Sequence, residues 1–87
     1  MVTLKKFTAA WCGPCRSLGP LFTEIKNEFK SVTFEEYDVD VAYAAATEYA
    51  VRSLPTIVIL KNGEEVERFT GVVPKSTYTK ALNAYLN

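Results

Sequence analysis

An α/β fold, with elements in the order βαβαββα and helices on both faces of a mixed four-stranded sheet, is what this sequence predicts. Three observations carry it. Strand-like runs alternate with stripes of apolar residues at helical spacing up to Leu60. Thr56-Ile57-Val58-Ile59-Leu60 is then a continuous run, β-branched up to Leu60, as expected of a strand covered on both faces. Asn62-Gly63 separates that run from another strand-like stretch, which is the strongest short-range signal for a hairpin.

Each element has its own reason. Residues 2–7 (VTLKKF) form a short strand that runs into Thr8-Ala9-Ala10-Trp11. From Cys15 onward, Leu18, Leu21, Phe22, Ile25 and Phe29 make one apolar stripe, with Glu24, Lys26, Asn27, Glu28 and Lys30 opposite. Gly19-Pro20 lies inside it, and an interior proline removes a hydrogen bond and crowds the preceding turn. The stripe keeps its phase through Pro20, so one kinked helix is predicted rather than two. Residues 32–39 (VTFEEYDV) read as a second strand, and Ala42, Ala45, Ala46 and Tyr49 mark a short helix. After the 56–60 strand, residues 65–70 form the returning strand, ending at Gly71. A last helix from about Pro74 carries Tyr78, Ala81, Leu82 and Tyr85 on one stripe. Tyr43, Tyr49, Tyr78 and Tyr85 are all assigned to helix packing faces. The alternation implies parallel crossovers first and one antiparallel hairpin at the end.

Composition narrows the function. Eighty-seven residues make one domain, spanning 1–87. A hydrophobic fraction of 48% with 23% charged residues is that of a folded globular chain, not a disordered one. Ten Lys+Arg balance ten Asp+Glu, and no basic run exists to neutralise phosphates, which argues against nucleic acid as a partner. No apolar stretch approaches the ~20 residues that span a bilayer, and Lys5 and Lys6 interrupt the opening segment where a signal peptide would be apolar. A soluble, cytoplasmic, monomeric protein is the expectation.

The chemistry lies in Trp11-Cys12-Gly13-Pro14-Cys15, where the first strand gives way to the helix. A helix start presents unpaired N–H groups and partial positive charge, which favour an anion. Thiolate is the nucleophilic form of cysteine, so this placement lowers the pKa expected of Cys12. Two intervening residues put Cys15 within one turn, close enough to bond the first sulfur. Gly13 and Pro14 shape the turn, and proline costs nothing at a first helical position. Zinc requires four ligands, and the chain has no histidine and no third cysteine. A purely structural bridge here closes too short a loop to restrain the unfolded chain much. A redox dithiol is the reading that remains. Asp38 and Asp40 resemble a carboxylate pair, but without further ligands they read as a solvated strand end.

These residues are similar to those of the thioredoxin family over positions 2–86. WCGPC at 11–15 is that family's active-site pentapeptide, and Pro20 falls where its active-site helix kinks. Val51-Arg52-Ser53-Leu54-Pro55-Thr56 looks like its cis-proline segment, followed by the Lys61-Asn62-Gly63-Glu64 hairpin and a later glycine, Gly71. The resemblance implies a thioredoxin-like fold and a dithiol–disulfide oxidoreductase that reduces protein disulfides through a mixed disulfide. It implies that Cys12 is the exposed nucleophile and Cys15 the shielded resolving thiol. Trp11, Leu54, Pro55 (after a cis bond) and Gly71 would form the substrate surface, with Gly13 and Pro14 in support. No bound cofactor is implied; electrons would come from NADPH through a thioredoxin reductase. An oxidase or isomerase is the rival within enzymes, and an accessory binding subunit the rival outside them.

Two departures qualify the likeness. The chain begins at what would be the second strand of a full-length thioredoxin, as in shortened viral and archaeal members. It is close in size to a glutaredoxin, but its motif is not the Cys-Pro-Tyr-Cys type of that family. Full-length thioredoxins also place a buried aspartate beneath the cysteines, with a lysine on the neighbouring strand; here those positions hold Lys6 and Glu36. Periodicity agrees, because Val2, Leu4 and Lys6 share one strand face and Val32, Phe34 and Glu36 share another. An ion pair of reversed polarity is expected there, with Glu36 taking over the role of base.

Overall fold

The computed structural model describes all 87 residues as eight elements. The strands are β1 (Val2–Thr8), β2 (Thr33–Asp38), β3 (Thr56–Lys61) and β4 (Glu64–Thr70), and the helices are α1 (Gly13–Ser17), α2 (Gly19–Glu28), α3 (Tyr43–Glu48) and α4 (Lys75–Leu86). The predicted kinked helix is present but interrupted at Leu18, which joins α1 to α2. Pro20 has no N–H to return to the Arg16 carbonyl, and its ring crowds that carbonyl. The chain responds by tightening: Leu18 N–H donates to the Cys15 carbonyl at 3.2 Å, and the Phe22 N–H reaches the Leu18 carbonyl at 2.9 Å. The stripe keeps its phase, since Leu18, Phe22 and Ile25 bury in one core.

The sheet order is β2-β1-β3-β4. Strands β1 and β2 are parallel, with Leu4 opposite Phe34 and Lys6 opposite Glu36. Strand β3 is antiparallel to β1, and β4 is antiparallel to β3. The expected second parallel crossover therefore does not form. Strand β3 instead re-enters the sheet from the end at which β2 left it and pairs with β1. Asn62 and Gly63 both have positive φ, +53° and +87°, as a two-residue type I′ hairpin requires.

Two cores follow from the strand pleat. On one face, Val2, Leu4, Ile57 and Ile59 pack against Leu18, Phe22 and Ile25 and against Tyr78 and Leu82 of α4. On the other, Phe7, Val58 and Leu60 pack against Tyr37, Ala45, Ala46 and Tyr49. Tyr43 departs from its expected place: at the first position of α3 it points away from Phe7 and Val58 and is 76% exposed. The topology brings four segment ends together at one edge of the sheet. These are the loop after Thr8, the end of β2, the approach to Thr56, and Gly71 beyond Thr70.

Candidate active site

Cys12 is the N-cap of α1, and its extended backbone (φ −88°, ψ 104°) turns the chain from strand to helix. Cys12 and Cys15 are joined by a disulfide, with Cα atoms 5.3 Å apart. The Cys15 N–H donates to Cys12 Sγ at 3.2 Å, so a backbone dipole points at that sulfur. Neither cysteine is exposed in this state, at 5% for Cys12 and 2% for Cys15. The expected contrast in exposure is instead a contrast in surroundings. Cys12 lines one groove with Trp11, Gly13, Pro14, Val39 and Leu54, whereas Cys15 lines a separate hollow with Lys6, Arg16, Glu36 and Asp38. The bridge joins the two sulfurs, while the residues that carry them border different cavities.

Trp11 is 68% exposed beside the groove, and its indole N–H donates to Asp40 Oδ2 at 2.9 Å. Asp40 is in turn fixed by its own N–H, which donates to Asp38 Oδ1 at 2.9 Å. The Asp38–Asp40 pair, a solvated strand end by its sequence, thus also anchors the indole. The available signal was an exposed indole that needs an acceptor. The Leu54–Pro55 peptide bond is cis, and Pro55 is fully buried. Gly71, at φ +83°, donates its N–H to the Pro55 carbonyl at 2.9 Å, which ties the end of β4 to the proline loop. A side chain at that φ is strained, so the glycine has a backbone reason. Gly13 has none, since a Cβ there would meet nothing within 4 Å. Arg52, Ser53 and Val51 also line the groove.

Lys6 and Glu36 come together, with Nζ to Oε2 at 3.6 Å, but the pair is lopsided. Lys6 is 9% exposed, whereas the Glu36 side chain is 58% exposed. The expectation of a buried pair holds for the lysine alone. On the opposite face, Lys5 Nζ lies 3.3 Å from Glu35 Oε1 and 5.1 Å from the ring centres of both Tyr37 and Tyr49. Burial works against the Lys5 ammonium, yet hydrogen bonds to Tyr37 and Glu35 carry it above its usual value. The Tyr37 hydroxyl, which donates to Glu35, and then Lys5 hold the Glu35 carboxyl below its usual range. The same bond to Glu35, followed by burial, raises the Tyr37 phenol.

A family model described as Thioredoxin matches residues 1–84. The chain belongs to the thioredoxin family. It is 42% identical over 85 residues to the thioredoxin of Pyropia yezoensis, covering 97% of this chain and 79% of that protein. To the chloroplastic M-type thioredoxin of Spinacia oleracea it is 40% identical over 82 residues, covering 93% of this chain and 45% of the relative. Among solved structures, a mutant thioredoxin from Halobacterium salinarum superposes with a TM-score of 0.93 at 32% identity, covering 99% of this chain and 75% of that one. Fasciola hepatica thioredoxin gives 0.89 at 34%, covering 97% and 80%. Family membership and the Cys12–Cys15 bridge make the protein a thiol–disulfide oxidoreductase that reduces protein disulfides by way of a mixed disulfide. No group of residues that could hold a metal ion occurs, and thioredoxins need no bound cofactor.

Proposed function

We propose that Cys12 attacks the substrate disulfide and that Cys15 resolves the mixed disulfide. What supports this is that the two cysteines border different cavities. Cys12 borders the groove that Trp11 and Leu54 also line, the expected substrate surface, and Cys15 borders the hollow lined by Lys6 and Glu36. The Cys15 N–H directed at Cys12 Sγ favours thiolate there, because a hydrogen bond to the charged form lowers a pKa. Trp11, Leu54, Pro55 and Gly71 form the surface on which the substrate strand lies, with Gly13 and Pro14 leaving it low beside the nucleophile. The open position at Gly13 supports that reading. Lys6 and Glu36 support the resolving step, and Glu36, on the open side of the Cys15 hollow, takes the Cys15 proton through water.

Electrons reach the pair from NADPH through a thioredoxin reductase and pass to protein disulfides, with the protein acting as a monomer in a reducing cytoplasm. The family's general partnership with such a reductase supports this; chloroplastic relatives match at similar identity. No helix is long and apolar enough to cross a membrane. The test is Cys15→Ser, which should accumulate mixed disulfides through Cys12, with brief alkylation of the reduced protein falling chiefly on Cys12. Preferential labelling of Cys15 would reverse the assignment. A reduction potential well below that of glutathione is expected, and one at or above it would indicate an oxidase. Replacing both cysteines with serine should abolish function, whereas an accessory binding role would survive.

A further inference from the structure

Lys6 is nine-tenths buried along its stem, while its ammonium still reaches solvent. Its ammonium makes no hydrogen bond; its one counter-charge, Glu36, stands 3.6 Å away and faces solvent, and the Phe22 ring lies 5.2 Å beneath it. An ammonium carries three donors, and here they are left to water. The ammonium lies on the wall of the hollow that Cys15 also lines. The other charges facing that hollow are Arg16 from α1 and Glu36 and Asp38 from β2, and Lys26 of α2 faces the adjoining one. Arg16 is held by the Ala10 carbonyl at 2.9 Å, and Asp38 by the Asp40 N–H. Lys6 is thus the cation in the hollow without a hydrogen-bonded partner.

Cys15 has the opposite difficulty. It is 2% exposed, yet the resolving step requires it to carry the negative charge of a thiolate. We propose that Lys6 is a positioning residue for resolution, whose ammonium stabilises the Cys15 thiolate. The proposal rests on the assignment of Cys15 as the resolving thiol. In the step, the Cys15 thiol releases its proton to water in the hollow, and its sulfur attacks Cys12 Sγ. The Cys12–Cys15 bond forms as the bond from Cys12 to the substrate sulfur breaks. The substrate leaves as a thiolate that takes up a proton, so the two electrons of the dithiol pass to the substrate. A base need not be buried beneath the cysteines, because the cation makes the thiol easier to ionise.

The experiment follows the ultraviolet absorbance of thiolate against pH in two single-cysteine proteins, Cys12→Ser (retaining Cys15) and Cys15→Ser (retaining Cys12). In the first, adding Lys6→Met should raise the Cys15 titration midpoint by about one pH unit, roughly tenfold less thiolate at neutral pH. Lys6→Arg should restore the midpoint. Glu36→Gln, a change at an exposed side chain, should move it the other way by freeing Lys6 of its counter-charge. In the two-cysteine protein, Lys6→Met should slow single-turnover resolution about tenfold at neutral pH and recover at high pH, as loss of charge predicts and a packing defect does not. A Cys15 midpoint unmoved by both Lys6→Met and Glu36→Gln would overturn the proposal. If Lys6→Met fails to fold, an unmoved midpoint in Glu36→Gln alone overturns it. Failure of Cys15→Ser to trap substrate would instead remove the resolving assignment, leaving the charge effect on Cys15 intact.

Discussion

Reduction of the Cys12–Cys15 bridge should destabilise the protein, and the size of the effect follows from its position in the chain. The bridge spans a sequence separation of 3, so the loop it closes is very short. Loop-closure entropy for about four residues gives about 2 kcal/mol in favour of the oxidised form. Against this stands the thiolate gained on reduction. The Cys15 N–H and the start of α1 favour that thiolate and offset part of the difference. The balance is at most about 2 kcal/mol for the oxidised form, or up to roughly 8–16 °C in Tm for a domain of this size. Guanidinium denaturation of the oxidised and fully reduced protein under argon measures it. The sign matters more than the size, because a strong disulfide oxidant is one whose reduced form is the more stable. A reduced form equal to or more stable than the oxidised one would refute both the arithmetic and the assignment as a reductant.

Three further outcomes are expected. Ala50 holds φ +50° at the end of α3, where the Val51 N–H reaches the Ala46 carbonyl at 2.9 Å and the Ala50 N–H reaches the Thr47 carbonyl at 3.0 Å. A left-handed alanine costs about 1–2 kcal/mol, and glycine's greater unfolded freedom returns part of it, so Ala50→Gly should stabilise by about 0.5–1 kcal/mol in denaturant titration. A double-mutant cycle of Lys6→Met and Glu36→Gln should give a stability coupling of about 0.5–1 kcal/mol, since one partner faces water; a smaller value means the charges act independently. The Glu35 carboxyl is held low by Tyr37 and Lys5, so its contribution is present above the unfolded pKa and lost as the pH falls through the folded one. Denaturation midpoints should therefore fall on acidification below about pH 4.3, and less steeply in Tyr37→Phe.

What the sequence determined by itself is what near neighbours decide. The chemistry of WCGPC depends on two cysteines three apart at a strand-to-helix junction, and that is written in consecutive residues. Asn62-Gly63 set its own hairpin, because the left-handed conformation is a property of those residues. The Leu18–Phe22–Ile25 stripe and the shared faces of Leu4 with Lys6 and of Phe34 with Glu36 follow from period alone. The tertiary structure decided what depends on residues far apart in the chain. The direction of β3 was settled by its pairing with β1, a contact between segments far apart in the chain that no local pattern displays. The Lys5 clamp needed β2 and α3 to bring Tyr37 and Tyr49 to one ammonium. The Gly71–Pro55 and Trp11–Asp40 bonds join segments that meet only because four strand ends share one edge of the sheet. Periodicity placed Lys6 and Glu36 side by side, but burial depends on what covers each residue. Phe22 lies under Lys6, while Glu36 sits on the edge strand, where nothing shields it from water.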